Sequence, residues 1–141
     1  MMEDRDLSGL VVGEFIPREQ IGKGGYGVVY RAEQLRLERD VVVKVLREWR
    51  GDEVSRVRFL REARLASLLT HPYAAHVYAA GVDRDEDLLW IAMELVPGVS
   101  FDAWLTARGP MSLEQFVPFF ECVAEVVEAA HVLGIVHRDL K

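Results

Sequence analysis

The amino-acid sequence predicts an α+β fold, in which five strands and one helix are followed by a segment that is helical throughout. Short runs of β-branched and aromatic residues alternate with turn signals in the first half of the chain. One stretch with helical periodicity interrupts these runs, and the pattern becomes helical after Pro97 and Gly98. Half of the 141 residues are hydrophobic, which is enough to pack the core of one ordinary domain.

Five runs have the composition and length of strands. Each is rich in apolar residues and is bounded by Gly, Pro, Asp or other turn-forming residues. These runs cover residues 14–21, 27–33, 41–46, 77–82 and 88–95.

Three helices are predicted, each from its own signals. The first spans residues 52–69, where apolar side chains recur at helical spacing and an acidic start suits the helix dipole. A short helix over residues 101–107 ends at a Gly-Pro pair. The last starts at Ser112 with a capping-box pattern completed by Gln115 and ends near Gly134. Pro118 lies beyond its first turn and predicts a local bend.

The same patterns divide the chain into three parts. Residues 1–12 carry several charges before a very short apolar run, which is the wrong order for a secretory signal, and a flexible tail is predicted there. Residues 13–96 contain the strands and the first helix. Residues 97–141 begin with a turn and continue as helices.

Charge and composition exclude several classes of function. A net charge of -6 argues against binding to nucleic acid or to an anionic membrane, because both need a basic surface. No apolar run in this chain approaches the roughly 20 residues that span a bilayer. Cys122 is the only cysteine, so an intrachain disulfide is impossible and a cytoplasmic location is expected, with an anchor after residue 141 left open.

A glycine-rich segment over residues 22–27 reads Gly-Lys-Gly-Gly-Tyr-Gly. It fits the pattern Gly-x-Gly-x-x-Gly, in which missing side chains let backbone amides approach phosphate oxygens. A plain glycine-rich hairpin turn is the alternative. The residues that follow are β-branched and aromatic, so we expect the segment to join two strands and not to open a helix, which argues against a dinucleotide-binding fold.

Lys44 lies in a strand that is apolar enough to be buried, where an unpaired ammonium is costly. It is one of only three lysines among the 17 basic residues. Glu62 falls on or beside the apolar face of the following helix, and an ion pair between Lys44 and Glu62 is a natural solution. The alternatives are a Lys44 side chain that reaches solvent and a Glu62 that pairs with neighbouring arginines.

The chain finishes with His137-Arg138-Asp139-Leu140-Lys141. An apolar run precedes this motif and would bring the Asp139 carboxylate to the floor of a crevice, where it could accept a hydroxyl proton. A lone Asp is more often a helix cap, but the flanking His, Arg and Lys favour a catalytic role.

These motifs, in this order, make the chain resemble eukaryotic-type protein kinases, and in particular the bacterial serine/threonine branch. The resemblance runs from about residue 14 to residue 141. It implies a kinase N-lobe over residues 13–96, built from a five-stranded antiparallel sheet and one helix. Residues 97–141 would then be the hinge and the start of the helical C-lobe.

The resemblance implies that ATP is the cofactor and that Ser or Thr side chains of a protein are the substrate. Asp139 would be the base, Lys141 would approach the transferred phosphate, and Lys44 paired with Glu62 would hold the ATP phosphates. Mg²⁺ would accompany ATP, with its main ligands beyond residue 141. The implied ATP site consists of Ile21, Gly22, Lys23, Gly24, Gly25, Tyr26, Gly27, Val29, Val42, Lys44, Met93, Glu94 and Val96.

The sequence departs from the family at three places. Val42 stands where a small alanine is usual, Tyr73-Ala74-Ala75 replaces a polar and then aliphatic run, and the chain ends at Lys141. We therefore expect the isolated chain to be inactive. Two other interpretations stay open: a nucleotide-binding pseudokinase, and a truncated protein that binds a partner through its helical surface without catalysis.

Overall fold

The computed structural model describes residues 6–24, 27–46 and 52–137. The predicted fold class is confirmed, because a five-stranded antiparallel sheet is accompanied by three helices. Each element lies close to its predicted position, with ends that differ by a few residues. In chain order the elements are β1 (Phe15–Gly24), β2 (Gly27–Gln34), β3 (Arg39–Leu46), α1 (Glu53–Ser67), β4 (Val77–Asp83), β5 (Leu88–Glu94), α2 (Phe101–Arg108) and α3 (Leu113–Val132).

The sheet has the strand order β1-β2-β3-β5-β4, and every neighbouring pair is antiparallel. Alternate residues of a strand point to opposite faces of its sheet. In β3, Val41, Val43 and Val45 are fully buried, whereas Val42 and Lys44 between them are only partly buried. The first set belongs to the hydrophobic core, and the second set lies on the opposite face, where α1 also packs.

Trp90 on β5 is the largest side chain of this core region and fits between two glycines. A Cβ atom added to Gly81, its register partner on β4, would lie 2.5 Å from the indole ring, and one added to Gly13 would lie 2.6 Å from it. The ring also meets Phe15 edge to face at a centroid distance of 5.5 Å. Any side chain larger than hydrogen at these two positions therefore displaces the indole.

The structure corrects the expectation of a flexible tail for the part of residues 1–12 that it describes. Leu7 and Val12 are buried in the core cluster. The backbone N–H of Gly9 donates to the carbonyl oxygen of Pro17 at 2.7 Å. Residues 6–12 are thus packed against the sheet, because their few apolar side chains complete its core.

The helix ends use the predicted caps. The Ser112 hydroxyl accepts from the Gln115 N–H while the Gln115 side chain accepts from the Ser112 N–H, which confirms the capping box. The helix α3 continues through Pro118. No residue of α2 or α3 is buried, although the Phe101 and Phe119 rings stack at 4.7 Å.

We predict that Gly81→Ala destabilises the protein by roughly 1–3 kcal/mol, the usual cost of overpacking a core. The added methyl would overlap the Trp90 indole. Urea unfolding measures the change. Trp90→Phe removes the ring atoms that the new methyl would overlap. The double variant should therefore lose less unfolding free energy than the two single variants lose together, and simple additivity would contradict the steric explanation.

Candidate functional site

A cleft of about 880 Å³ lies between the sheet, α1 and the segment that follows α3. Apolar side chains form most of its wall, and Lys44 and Glu62 both line it. Among the described residues, its lining consists of Lys44, Leu46, Arg58, Phe59, Arg61, Glu62, Ala63, Leu65, Ala66, Ile91, Gly134, Ile135, Val136 and His137.

The strand register places several predicted site residues on one face of the sheet. Lys44 has Val29 as its partner on β2 and Ile91 as its partner on β5. Two residues earlier on β3, Val42 pairs with Met93. Partners in a register project to the same face, so Val29, Val42, Lys44 and Met93 share the surface opposite the hydrophobic core.

The glycine-rich segment is the hairpin that joins β1 to β2, with Gly24 paired to Gly27. Gly25 and Tyr26 lie outside the described residues. Gly27 has φ 148°, and a Cβ atom there would overlap the carbonyl oxygen of Val45, so packing alone requires this glycine. Among the described residues, nothing lies within 4 Å of a Cβ atom added to Gly24, and one added to Gly22 would make only ordinary contacts.

This difference between the glycines bears on the two interpretations of the hairpin. A hairpin turn explains Gly27, whose neighbour is a backbone atom. It does not explain Gly24, where a side chain would contact none of the residues that the structure describes. Absent side chains beside open space are what a closely bound anion needs, because backbone N–H groups become accessible.

Lys44 and Glu62 line the same cleft, but within the described part of the chain no ion pair joins them. Here the structure differs from the expected pairing. The helix α1 packs mainly on β4, with Ala63 as its buried residue, and this leaves the adjacent Glu62 exposed on the cleft wall. The alternative pairing of Glu62 with neighbouring arginines is also absent among these described residues.

The end of β5 and the residues after it include Glu94 and Val96, whose backbone groups are predicted to contact the base. The N–H of Glu94 donates to the carbonyl oxygen of His76 at 2.8 Å. Its carboxylate oxygen Oε2 accepts from the His76 N–H at 3.1 Å. Val96 lies beyond the end of β5 and is 60% exposed.

A tight turn after α3 brings the chain to the cleft. Gly134 has φ 77°, its N–H donates to the carbonyl oxygen of His131, and the Ile135 N–H donates to that of Ala130 at 2.9 Å. These are the two hydrogen bonds of a Schellman motif, which reverses the chain direction at a helix end. His137 is thereby placed on the cleft wall. Arg138, Asp139 and Lys141 lie outside the described residues.

The loop after α1 makes contacts that the sequence analysis did not predict. The His71 Nε2 atom lies 3.1 Å from Oε1 of Glu125 on α3, and His71 Nδ1 accepts from the Tyr73 N–H at 3.2 Å. A hydrogen bond with Cys122, together with nearby negative charge, raises the pKa of Tyr73. In the sequence, only the departure from the family pattern at Tyr73 pointed to this loop, and it did not predict the contact between Tyr73 and Cys122.

Comparison with known proteins decides the family. The family model described as "Protein kinase domain" matches residues 15–141 of this chain. The chain belongs to the protein kinase family. The serine/threonine-protein kinase PrkC of Bacillus subtilis is 38% identical over 122 residues, covering 86% of this chain and 18% of PrkC. The serine/threonine-protein kinase pkn3 of Myxococcus xanthus is 41% identical over 122 residues, covering 86% of this chain and 22% of pkn3.

The fold comparison agrees with this assignment. A crystal structure of the Mycobacterium tuberculosis PknI kinase domain superimposes with a TM-score of 0.80 and 28% sequence identity. The match covers 95% of this chain and 55% of that kinase domain. The chain therefore spans about half of a solved kinase domain and about a fifth of the length of these two curated relatives.

We predict opposite consequences for two neighbouring glycines of the hairpin. Gly27→Ala should lower stability by roughly 1–3 kcal/mol, since its Cβ overlaps Val45. Gly24→Ala should leave the unfolding free energy nearly unchanged and instead weaken ATP binding, which isothermal titration calorimetry measures. Full ATP affinity in the folded Gly24→Ala variant would favour the plain hairpin turn.

The N-cap of α1 gives a pH-dependent prediction. Hydrogen bonds from the Ser55 N–H and then the Ser55 hydroxyl lower the pKa of Asp52. A lowered native pKa means that this stabilisation is present above the ordinary value of 3.8 and is lost as the pH falls through the native value.

Unfolding free energies measured between about pH 6 and pH 2.5 should therefore fall less steeply for Asp52→Asn than for the wild-type protein, because Asn caps without titrating. Identical slopes would contradict this assignment.

Proposed function

We propose that this chain forms the nucleotide-binding part of a serine/threonine protein kinase that transfers the γ-phosphate of ATP to Ser or Thr side chains of a protein. One observation carries the proposal. The glycine hairpin, the partly buried Lys44 and the apolar Met93 lie along one face of the sheet, next to a cleft that His137 borders. Among the described residues, none would contact a side chain added at Gly24 of this hairpin.

The apolar residues of this face would hold the adenine ring. Val29, Val42 and Met93 are partly buried and lie on neighbouring strands, and Ile21 stands half exposed at the end of β1. The N–H of Glu94 is already bonded to His76, so its carbonyl oxygen is the group proposed to meet the base. Val96, beyond the strand, would supply the second backbone contact.

The polar end of the same face would hold the phosphates. Backbone N–H groups around Gly22 and Gly24 can approach phosphate oxygens because no side chain intervenes. The Lys44 ammonium supplies a compact positive charge on the neighbouring strand. Positioning and charge stabilisation of this kind account for most of the catalysis in phosphoryl transfer.

The remaining roles belong to residues outside the described ranges. We assign Asp139 as the base that accepts the hydroxyl proton and Lys141 as a contact to the transferred phosphate. Mg²⁺ would enter with ATP, because it keeps several waters and binds through phosphates and one or two carboxylates. A protein with Ser or Thr is the proposed substrate.

A second function is favoured by the arrangement of Lys44 and Glu62. Lys44 and Glu62 line the same cleft and no ion pair joins these two described residues, so a protein that binds a nucleotide or a partner without turnover is the second candidate. The exposed apolar side chains of α3, including Phe116 and Phe120, offer a surface to such a partner. ATP affinity and phosphate transfer measured on one preparation separate the two functions: binding with transfer indicates a kinase, and binding without transfer indicates a binding module.

We predict that Lys44→Met weakens ATP binding by roughly 10- to 100-fold, the range expected for losing one hydrogen bond to a charged group. Calorimetric titration with ATP measures the affinity. Arg36→Met removes an exposed positive charge from the turn between β2 and β3 and should leave ATP affinity unchanged. Wild-type affinity in Lys44→Met would remove Lys44 from the site.

A further inference from the structure

The pairing of β4 with β5 is irregular where it reaches the proposed adenine site. A register shift separates Val77 from Ala79, and the last regular pair is Val77 with Met93. One residue further, Glu94 and His76 are joined by two hydrogen bonds, one from each backbone N–H. The Glu94 N–H donates to the backbone carbonyl of His76, whereas the His76 N–H donates to the side-chain carboxylate of Glu94.

The carboxylate therefore takes the place that a backbone acceptor would have in a regular antiparallel pair. Its Oε2 atom accepts the His76 N–H at 3.1 Å in a partly buried setting. Hydrogen bonds from a backbone N–H to a carboxylate are stronger than neutral ones. The side chain thus extends the pairing of β4 and β5 by one residue, up to the point where the chain leaves the sheet.

The side chain of His76 makes a further contact, which connects it to the sheet. Its imidazole meets the Tyr78 ring edge to face at 5.6 Å, and the Arg39 guanidinium lies 4.0 Å from the centre of that ring. The Arg39 Nε atom donates to the side chain of Gln34 at 2.7 Å, and Gln34 is a buried residue of β2. His76 is therefore connected to β2 and β3, and through it the Glu94 carboxylate is anchored to the sheet.

We propose that Glu94 is a positioning residue. Its carboxylate fixes residues 94–96 against the start of β4, so that their backbone groups are preorganised for a planar base, and the side chain itself does not contact the ligand. This inference rests on the proposed nucleotide-binding function. Preorganisation of this kind raises affinity because less conformational freedom is lost when the ligand binds.

Two variants at Glu94 and one elsewhere test the proposal. Glu94→Ala removes the acceptor, whereas Glu94→Gln keeps an amide oxygen at the same reach. Asp83→Ala is the matched control, because Asp83 also accepts backbone N–H groups, from Asp85 and Glu86, but at the opposite end of the same strand pair. Amide hydrogen exchange measured by NMR and ATP affinity measured by calorimetry are compared for all three.

We expect Glu94→Ala to accelerate exchange of the His76 amide roughly 10-fold or more and to weaken ATP binding several-fold. Glu94→Gln should stay within about threefold of wild type in both measurements. Asp83→Ala should accelerate exchange only at its own turn and leave ATP affinity unchanged. A loss of ATP affinity in Asp83→Ala equal to that in Glu94→Ala would indicate general destabilisation and overturn the proposal.

Wild-type ATP affinity in Glu94→Ala would also overturn it, whether or not His76 exchange accelerates. If the wild-type chain binds no ATP, the nucleotide-binding function fails separately. The exchange data then decide whether Glu94 fixes residues 94–96: faster exchange in Glu94→Ala but not in Glu94→Gln supports this, and equal exchange overturns it.

Discussion

The strict alternation of side chains along β3 is the constraint on which the rest of the structure depends. Val41, Val43 and Val45 fill the core, so Val42 and Lys44 must face the other way. A slip of one residue in register would bury the Lys44 ammonium among valines and expose their methyl groups, at a prohibitive desolvation cost. The same burial that stabilises the sheet therefore selects the face on which the candidate site is built.

Close approach between elements is the second constraint, and it explains where glycine is required. Trp90 occupies the space beside Gly81 and Gly13, and Gly27 faces the backbone of β3. These glycines allow the segment before β1, the start of β2 and the strand β4 to approach their neighbours closely, and none of the three glycines is among the described residues that line the cleft. Gly24 has no such neighbour among the described residues. Packing therefore requires glycine at position 27, whereas at position 24 the missing side chain leaves room for a ligand.

Local patterns were enough to predict the strands, the helices and the capping box, because period and cap chemistry are encoded within a few residues. Contacts between distant segments were not predictable in this way. The packing of Leu7 in the core depends on a sheet that forms later in the chain. The exposure of Glu62 depends on how α1 packs against β4. The hydrogen bond from the His76 N–H to the Glu94 carboxylate joins residues 18 positions apart. The roles of Asp139 and Lys141 stay predictions.

The separation of Lys44 from Glu62 follows from what holds α1 in place. This helix is fixed by Ala63 against the sheet and by the Asp52 cap, and neither contact requires the ion pair. An ion pair between solvated groups stabilises a protein by only about 0–1 kcal/mol, which is too little to move a packed helix. The pair would gain strength if bound phosphate or protein excluded water from the cleft, because Coulomb interactions grow as the local dielectric falls. We therefore expect that occupancy of the cleft favours an ion pair between Lys44 and Glu62, which the packing of α1 alone does not require.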